Sequence, residues 1–563
     1  MKLPYPFSRH KHAANEDGHN QRSDPDHLPH LEKHPDPREG NGTEVRFVPL
    51  PPDPIFLSAC NPYSSPPSSR RIPSMAFSNF ATATQPELRV LIVGTGFAGL
   101  AAAIACARQG YSVRVLERTD GQSQHGDSVI IGANASRLLY RWGVEDIWER
   151  ASQGRWLVFK DQVGTTLHQE DLGLLPSQYG APLLQGKRSY MLGSLGVAAR
   201  LLGAEIEYNS EVVGYIDSDQ PAAYLANGEI RHADVIIVAD GINSVSRSLL
   251  ADNCERRRSG FSIHRAVMTT EAVACDPDCT YFLDGNIRMF LGKEEWISVY
   301  PMDNGRQIAF TWTHRDPESV SSLNWKASVA VASILPQLSG WDATLQKLIS
   351  KFPRAQHWAI IEGEVAEHWI SKGGKITFAG DAVHPLIPSS IQGATMAIED
   401  AETLALCLEL AGGKPDGVKM ALKVYEKLRK PRVEQAARLG RKQAVIYQTF
   451  TTRNAPTVAA SQTRSSSLSS LTPSDEQTPH CAFAADPSCL RPLAFQMYGG
   501  AIDPRIAWES VVRQLDPSRP PLRNEVDPLD EPDSVEDAAW NDAKRARRTS
   551  LAFTSDSFTT VCN

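Results

Sequence analysis

The chain has 563 residues, with 58 Lys and Arg against 65 Asp and Glu, and a formal net charge of -7 at pH 7. Apolar residues make up 41% and charged residues 22% of the sequence, as in an ordinary globular protein. No domain-sized basic surface is present, which argues against a nucleic-acid-binding protein. At roughly 100–200 residues per domain, the length accommodates about two to four domains.

Cysteine and histidine usage predicts a cytoplasmic protein without a metal site. The nine cysteines are scattered, and the nearest pair, Cys275 and Cys279, matches no zinc or redox motif. The histidines at 10–34 repeat no ligand spacing. The N-terminus lacks the apolar core of a secretory signal. The apolar run 90–107 would be flagged as a membrane span, but the glycines within it give a better explanation, so we expect no transmembrane segment.

The first part of the chain predicts a disordered extension followed by a folded region. Residues 1–86 are rich in Pro, Ser and charge and show no sustained periodicity. Met75 stands shortly before the first strong strand and is a candidate true start. From 87 to 450, strand-like runs alternate with helix-like stretches, which predicts an α/β protein. Short aromatic-rich runs predict a second, antiparallel sheet at about 255–365. Predicted strands of the first sheet include 89–93, 112–116, 234–239 and 375–379.

The C-terminal part of the chain predicts helices and then little further structure. From 399 to about 444 the pattern is helical, with Pro431 as a break. Residues 451–490 are rich in Ser, Thr and Pro and predict a low-complexity linker. Residues 491–563 predict a mostly disordered C-terminal segment, with one ordered piece at about 493–515.

The first chemical motif is a buried strand that leads directly into three spaced glycines and a helix. Gly94 allows a tight turn, Gly96 lets the backbone approach a pyrophosphate, and Gly99 lets the helix pack closely on the strand. The helix N-terminus offers unpaired N–H groups to phosphates. A second strand ends at Glu117, which lies 18 residues beyond Gly99, where an acid that binds ribose hydroxyls is expected. The motif indicates a dinucleotide site but does not separate FAD from NAD.

Two later strands each deliver an acid at their C-terminal ends, where α/β sheets bind ligands. One ends in Asp240 and is followed by Arg247. The other ends in Asp381, whose carboxylate can accept hydrogen bonds from ribitol hydroxyls. A Pro-rich turn then leads to Gln392 and Ala394, which open a helix whose N-terminus can face an anionic flavin ring. Each motif alone is a common turn, but their order after the glycine motif indicates a single site.

Together these motifs resemble those of the single-component FAD-dependent aromatic hydroxylases, most closely the salicylate-hydroxylase-like branch. The resemblance covers about 88–450, with a weaker trace near 497–503. It implies a Rossmann-like FAD-binding domain interleaved with a smaller β-sheet substrate domain, and a helical C-terminal part. It also implies FAD as cofactor, NADPH or NADH as transient reductant, and an aromatic small molecule and O2 as partners. The protein would be a monomer or homodimer.

The resemblance assigns roles to individual positions. It assigns ADP-binding roles to Gly94, Gly96, Gly99 and Glu117. It assigns further cofactor contacts to Ile130, Arg188, Asp240, Asp381 and Ala394. In close relatives an Arg and a Tyr orient or deprotonate a phenol, and the matching residues here are Arg265 and Tyr300. The chain departs from the family at Lys187, usually His, and at Ile391, usually Gly, where a β-branched residue restricts the backbone.

The implied activity is hydroxylation of an aromatic, phenolic substrate by a flavin C4a-hydroperoxide, formed after NAD(P)H reduces FAD and O2 adds. A cation such as Arg265 would favour the more nucleophilic phenolate. Arg265 could instead be a structural ion-pair partner, and Tyr300 a core residue. Two other functions stay open: a flavin epoxidase or oxidative-dearomatisation enzyme of secondary metabolism, and a flavin-binding protein without monooxygenase activity, favoured by Lys187 and Ile391. All of them require the stretches around residues 94, 117 and 381 to converge around one FAD.

Overall fold

The computed structural model describes residues 88–121, 128–144, 146–244, 246–249, 256–316, 324, 327–449, 490, 492–499 and 504–518. The predicted extension, with its histidines and Met75, lies outside these residues. So do nearly all of the predicted linker and the tail beyond residue 518. No helix in the described part of the chain is long and apolar enough to cross a membrane.

Strands and helices alternate along much of the described chain, as the sequence predicts for an α/β fold. The strands are β1 (Arg89–Val93), β2 (Ser112–Leu116), β3 (Val129–Ile131), β4 (Trp156–Asp161), β5 (Thr166–Asp171), β6 (Leu184–Gly186), β7 (Glu205–Glu207), β8 (Val212–Ile216), β9 (Ala222–Leu225), β10 (Ile230–His232), β11 (Val235–Val238), β12 (Arg256–Thr269), β13 (Ile287–Gly292), β14 (Glu295–Met302), β15 (Gln307–Arg315), β16 (Ser328–Ala330), β17 (Arg354–Gly363) and β18 (Ile376–Phe378). The α-helices are α1 (Phe97–Arg108), α2 (Ala133–Trp142), α3 (Asp146–Arg150), α4 (Leu175–Tyr179), α5 (Arg188–Leu201), α6 (Glu271–Ala274), α7 (Ala343–Ser350), α8 (Gly393–Leu410), α9 (Val418–Thr449) and α10 (Pro504–Leu515).

A five-stranded parallel sheet forms the first layer, in the order β18-β11-β1-β2-β7. Its central strands β1 and β11 are apolar and buried, as strands covered on both faces must be. The predicted strands at 89–93 and 112–116 coincide with β1 and β2, and those at 234–239 and 375–379 contain β11 and β18. Because the strands run parallel, the acid-bearing ends predicted from the sequence all lie at one edge of this sheet.

The apolar run 90–107 forms β1 and most of α1 rather than a membrane span. Helix α1 is buried along nearly its whole length, because it packs between the sheet, α5 and α8. Its small side chains, mostly Ala and Gly, let these neighbours approach closely. The chain leaves the helix through Gly110, which has a left-handed φ of +82°.

An eight-stranded sheet forms the second layer, in the order β16-β17-β12-β15-β14-β13-β4-β5. Its pairs are antiparallel except for β13 with β4. The sequence placed this sheet at about 255–365, and the sheet also takes β4 and β5 from earlier in the chain. Side chains alternate between its faces. Ile263 and Arg265 line a cavity, whereas Ala266 faces an apolar core on the other side that also contains Trp312.

The helical C-terminal part differs from the sequence prediction in one detail. The expected helix break at Pro431 is wrong, because α9 continues through this residue. The break lies instead at 412–413, where both glycines have left-handed φ values. A proline in a helix interior costs about 3 kcal/mol. Arg429 and Arg432 on either side of it both form ion pairs with Glu399 of α8, so α9 is tied to α8 on both sides of the proline.

The ordered piece expected at about 493–515 consists of a 3-10 turn, Leu493–Met497, and helix α10. The turn packs on α9, and α10 packs on both α8 and α9. Phe495 and Trp508 are buried in these contacts. A segment close to the C-terminus of the chain therefore becomes part of the folded core.

Candidate functional site

The glycine turn after β1 is tightly packed on one side and open on the other. Gly94 has a φ of +105°, and a Cβ there would lie 2.4 Å from the carbonyl oxygen of Ala239. A Cβ on Gly99 would lie 1.9 Å from the carbonyl oxygen of Gly94. Around a Cβ on Gly96, the described residues place no atom within 4 Å apart from its own chain neighbours. There is therefore no room for a side chain at Gly94 or Gly99, whereas Gly96 keeps space open before the N-terminus of α1, where phosphates bind.

Glu117 follows β2 and turns its carboxylate toward the glycine turn. It accepts hydrogen bonds from the backbone N–H and the hydroxyl of Thr95, at 3.0 and 2.7 Å, and from the N–H of Thr119 at 2.9 Å. Burial raises the pKa of Glu117, but these hydrogen bonds outweigh it and hold the pKa below its ordinary value. The carboxylate is therefore ionised at neutral pH and fixed beside the turn, which suits an acceptor for ribose hydroxyls.

Asp240 lies at the neighbouring strand end, after β11. A Cβ on Gly94 would lie 3.2 Å from its Cα, so the turn and this residue are in contact. The hydroxyl of Ser246 donates to Oδ2 at 2.8 Å, whereas Oδ1 is buried and has no hydrogen-bond partner among the described residues. Burial raises the pKa of Asp240. An unpaired buried carboxylate oxygen is costly, and a hydroxyl of a bound ligand would satisfy it.

Asp381 lies beside the first turn of α1, as the sequence interpretation requires. A Cβ on the preceding Gly380 would lie 2.8 Å from the Cβ of Ala98. Arg247 joins the two acid-bearing strand ends, since its Nη2 donates to the carbonyl oxygen of Asp381 at 2.6 Å and its Nε to that of Ala382 at 2.7 Å. The three stretches identified in the sequence therefore converge at one edge of the parallel sheet.

Asp381 lies within electrostatic range of Arg188. Desolvation by the surrounding protein raises the pKa of Asp381, and the positive charges of Arg188 and Arg247 partly counter this. Arg188 begins α5, and its guanidinium lies 5.0 Å from the ring centre of Phe97 in α1. Desolvation lowers the pKa of Arg188, and Asp381 partly counters this. The acid and the base thus lie near each other beside the glycine turn, and the space bordered by Gly96, Glu117 and Asp381 is called the cofactor cleft.

A buried network of ion pairs and hydrogen bonds supports the turn that carries Asp381. The carboxylate of Asp400 in α8 accepts hydrogen bonds from the N–H of Gly380 at 3.0 Å, from Nε2 of His384 at 2.6 Å and from Nε of Arg429 at 2.8 Å. Burial raises the pKa of Asp400, but His384 and Arg429 outweigh it and lower the pKa to about 2. Arg429 also pairs with Glu399 at 2.7 Å. The network joins the turn that carries Asp381 to α8 and α9.

The loop 387–392, called the α8 loop, connects this cleft to a cavity. Gln392 is the N-cap residue of α8, and its side-chain Nε2 is buried without a partner in the described part of the chain. Ala394 in the first turn of α8 and Ile130 on β3 both line the cavity. The positive end of the α8 dipole therefore opens onto the cavity, where it can stabilise negative charge.

The cavity has a volume of ≈ 260 Å³ and lies between the α8 loop and the eight-stranded sheet. Most of its wall is apolar, and the side chains come from segments far apart in the sequence. Large apolar residues on the wall are Leu157, Leu183, Ile263, Ile287, Trp296 and Phe495. Polar residues on the same wall include Ser128, Arg265, Tyr300 and Thr311. Such a cavity suits a mostly apolar small molecule that carries few polar groups.

Arg265 and Tyr300 are brought together in the cavity through Ser128. The hydroxyls of Tyr300 and Ser128 lie 2.5 Å apart. Nη1 of Arg265 donates to the carbonyl oxygen of Ser128 at 3.4 Å, and the guanidinium lies 5.6 Å from the ring centre of Trp358. Nε of Arg265 is buried without a partner among the described residues, and none of their carboxylates pairs with this side chain. Tyr300 is both a buried strand residue and part of the cavity wall.

Several cavity residues escaped the sequence analysis. Ser128 lies next to the predicted Ile130 site, but no pattern indicated its hydrogen bond to Tyr300, which comes from a distant strand. Tyr447 near the end of α9 and Phe495 in the C-terminal turn also line the cavity. Nothing in their local sequence distinguishes them from core aromatics, so only the folded chain could assign them to this wall.

The two departures from the family pattern have different surroundings. Lys187 is the N-cap residue of α5, and its Nζ lies 5.1 Å from the ring centre of Tyr190. Ile391 lies in the α8 loop and lines the cavity. It has φ +53° and ψ 22°, the left-handed conformation that glycine adopts most easily. Ile391 is therefore a β-branched residue held in a backbone conformation that such residues rarely adopt.

A cluster of three histidines lies on the face of the eight-stranded sheet opposite the cavity. His264, His314 and His357 come from β12, β15 and β17, and their ligand atoms lie within 4.8 Å of one another. The rings of His264 and His357 are stacked, with centroids 3.9 Å apart and planes within 7° of parallel. Imidazole lone pairs lie in the ring plane, so two such rings do not point at one ion. The arrangement is an aromatic stack that continues onto Trp312.

Comparisons with known proteins agree with the geometry of this site. A family model described as an FAD binding domain matches residues 87–439. The FAD-dependent monooxygenase nodY2 of Hypoxylon pulicicidum is 30% identical over 376 residues, which are 61% of this chain and 80% of that protein. The family match covers the glycine turn, both acid-bearing strand ends and most of the cavity wall.

Solved structures agree with this result. The crystal structure of CtdE in complex with FAD has 26% identity and a TM-score of 0.56, and covers 64% of this chain and 95% of that chain. A salicylate hydroxylase substrate complex has 21% identity and a TM-score of 0.56, and covers 66% of this chain and 91% of that chain. The second likeness shows a shared fold.

Proposed function

This chain belongs to the FAD-binding domain family of flavoprotein monooxygenases, and from that premise we propose that it hydroxylates a phenolic aromatic compound bound beside Arg265 and Tyr300. Its identification with the FAD-dependent aromatic hydroxylases is thereby confirmed. The observation that carries the proposal is an apolar cavity near the cofactor cleft, with a guanidinium and a phenol on its wall. These are the groups that can orient and ionise a phenol.

The residues of the cleft fit FAD. We assign the pyrophosphate to the open space at Gly96, the ribose to Glu117 and the ribityl chain to the carboxylate of Asp381. The unpaired Oδ1 of Asp240 supports a cofactor hydroxyl nearby. The N-terminus of α8, at Ala394, would then face the flavin ring. Bound FAD supplies the redox chemistry, which takes electrons from NAD(P)H and passes one oxygen atom of O2 to the substrate.

The protein's own contribution is to orient and ionise the substrate. The positive charge of Arg265 favours the phenolate over the phenol, and the phenolate ring is the better nucleophile. The hydroxyls of Tyr300 and Ser128 form a short hydrogen-bonded pair, along which a substrate proton can move. Arg188, on the cofactor side, would hold FAD in place.

Exclusion of water is the second contribution. A reactive oxygen-transfer site must be dry, or the oxidant is lost to hydrogen peroxide. The apolar wall of the cavity excludes water. Leu157, Ile263 and Trp296 contribute to this wall from separate strands, and Phe495 contributes from the C-terminal turn. Tyr447 continues the wall and packs against Trp296, with ring centres 5.7 Å apart.

The same apolar lining favours a second candidate, oxidation of an olefin or an electron-rich ring without a free phenol. An epoxidase or oxidative-dearomatisation enzyme of secondary metabolism would use the same cleft, but its substrate would need neither Arg265 nor Tyr300 for ionisation. The two candidates therefore differ in how strongly turnover depends on these residues.

A substrate panel tests the proposal. The purified protein, loaded with FAD, is mixed with NADPH or NADH and a series of phenols, methyl-blocked phenols and olefins. We expect phenols to stimulate NAD(P)H oxidation and to gain one oxygen atom by mass. Methyl-blocked phenols should not be oxidised. Turnover of olefins alone would favour the epoxidase, and bound flavin without NAD(P)H oxidation for any compound would contradict both.

A further inference from the structure

Ile391 occupies a backbone conformation that its side chain disfavours. The described residues other than glycine with positive φ are Asn209, Glu294, Asp303, Asn304 and Ile391. Of these, Ile391 is the one with a branched Cβ, which clashes most in the left-handed region. Strained residues of this kind persist where the surrounding structure fixes them, and they cluster at functional sites.

Packing of the α8 loop on α9 holds Ile391 in this strained conformation. The hydroxyl of Ser389 donates to the carbonyl oxygen of Gly440 at 3.0 Å. A Cβ on Gly440 would lie 2.6 Å from the Cβ of Ser390, so loop and helix are in direct contact. The N–H of Ile391 donates to the carbonyl oxygen of Pro388 at 3.0 Å. The loop is thus held against α9 by the two residues directly before Ile391, which opposes relaxation of its backbone.

Ile391 lines the same cavity as Arg265 and Tyr300. It lies directly before Gln392, the N-cap residue of α8, and therefore beside the place assigned to the flavin ring. Ile387 and Pro388 of the same loop also line the cavity. The loop thus forms one wall of the cavity.

We propose that Ile391 is a specificity-determining residue, whose side chain narrows the cavity at the α8 loop and limits the size of the aromatic substrate that reaches the flavin. The inference rests on the proposed function and deepens it. A glycine here would remove the strain and the whole side chain together. The cavity would then extend into the space that Ile391 fills.

The test is an equilibrium titration of the FAD-loaded protein without NAD(P)H, in which ligand binding is followed by the change in flavin absorption. The probes are phenol, 2-naphthol and 9-phenanthrol, which have one, two and three fused rings. We expect Ile391→Gly to raise the affinity for 9-phenanthrol relative to phenol at least fivefold. Ile391→Ala and Ile391→Val should change the ratio in the same direction by smaller factors, and they decide the result if the glycine variant loses FAD.

Glu294→Gly is the matched control, because Glu294 also has a positive φ of 58° but lies outside the cavity. It should leave the ratio unchanged, which separates the shape of the cavity from relief of strain. A probe that binds the variants but not the wild type supports the proposal equally. Ratios within twofold of the wild type in all three variants, or probes that bind none of the proteins, would overturn it. Since no turnover is needed, failure of the hydroxylase assay leaves this ratio measurable.

Discussion

The cofactor cleft and the substrate cavity lie side by side but are built in different ways. The cleft is made largely of backbone: a glycine turn, two helix N-termini and strand ends, each carried by a few consecutive residues. The cavity is made of side chains from strands, a loop and a C-terminal turn that are far apart in the sequence. Arg265 and Ser128, which are in contact there, are 137 residues apart.

This difference determines how each region responds to substitution. A backbone-built site has little room for change, because a single Cβ closes the space that a phosphate needs. A cavity built from side chains changes in steps, since each residue contributes one patch of wall and neighbours can adjust. We therefore expect near all-or-none effects in the cleft and graded effects in the cavity.

The largest expected effect comes from the ion network under the cleft. Arg429→Met removes the guanidinium that the buried carboxylates of Glu399 and Asp400 share. Breaking a buried pair in this way typically costs about 3–5 kcal/mol of folding free energy. Urea denaturation measures the change. Lys430→Met is the control, since Lys430 pairs with the more exposed Glu434 at 3.7 Å and should cost less than about 1 kcal/mol. Equal losses of folding free energy in both variants would show that the buried network contributes no more to stability than a surface ion pair.

The second prediction separates folding from cofactor binding at the glycine turn. In Gly96→Ala the new Cβ meets no described side chain, so the melting temperature of the apoprotein should stay the same. FAD affinity should fall about 100-fold, which is about 2.8 kcal/mol, because the methyl group enters the pyrophosphate space. A flavin fluorescence titration measures it. Gly193→Ala in α5, whose Cβ also has open space around it, is the control. Unchanged FAD affinity in Gly96→Ala would place the pyrophosphate elsewhere.

A graded effect is expected at Arg265. Arg265→Met should lower kcat/KM for a phenol by about 10- to 100-fold while FAD affinity stays the same, because the charge acts on substrate ionisation. The loss should shrink as pH rises toward the ordinary pKa of the phenol, since bulk hydroxide then produces the phenolate. Steady-state kinetics between neutral and alkaline pH measure both. Arg315→Met, which removes a surface pair with Glu294, should behave like the wild type. A loss independent of pH would assign Arg265 to binding alone.

The smallest effect concerns the histidine stack behind the cavity. Burial, followed by the neighbouring His357 and His314, lowers the pKa of His264 to about 2. Its folded pKa lies below the unfolded value of about 6.5, so the unfolded chain binds more protons and stability is lost as pH falls below that value. The slope reaches at most about 1.4 kcal/mol per pH unit for this residue. Burial also lowers the pKa of His314 and of His357, but the backbone of Arg315 partly counters this at His314 and the carboxylate of Asp316 does so at both, which reduces their share.

Urea denaturation at several values between neutral and mildly acidic pH tests this effect. His264→Phe keeps an aromatic ring in the stack but cannot be protonated, so its stability should depend less on pH than that of the wild type. Parallel curves for the two proteins would show that the acid sensitivity arises elsewhere in the molecule.

The two regions also differ in how far the sequence predicts them. Gly94, Glu117 and Asp381 could be assigned because each belongs to a short motif whose local fold requires that residue type. The contact between Tyr300 and Ser128 could not, because it depends on the position of β14 relative to a loop more than 170 residues away. The expected break at Pro431 failed for a related reason, since the ion pairs of Arg429 and Arg432 with another helix are not visible in the local sequence.

The most direct test of the account is a crystal structure of the FAD-loaded protein with a phenol bound. We expect the pyrophosphate over Gly96, the ribityl chain at Asp381, and the flavin ring at the N-terminus of α8. The phenol oxygen should lie within hydrogen-bond distance of Arg265 or Tyr300. A flavin ring on the far side of the α8 loop, away from the cavity, would contradict it.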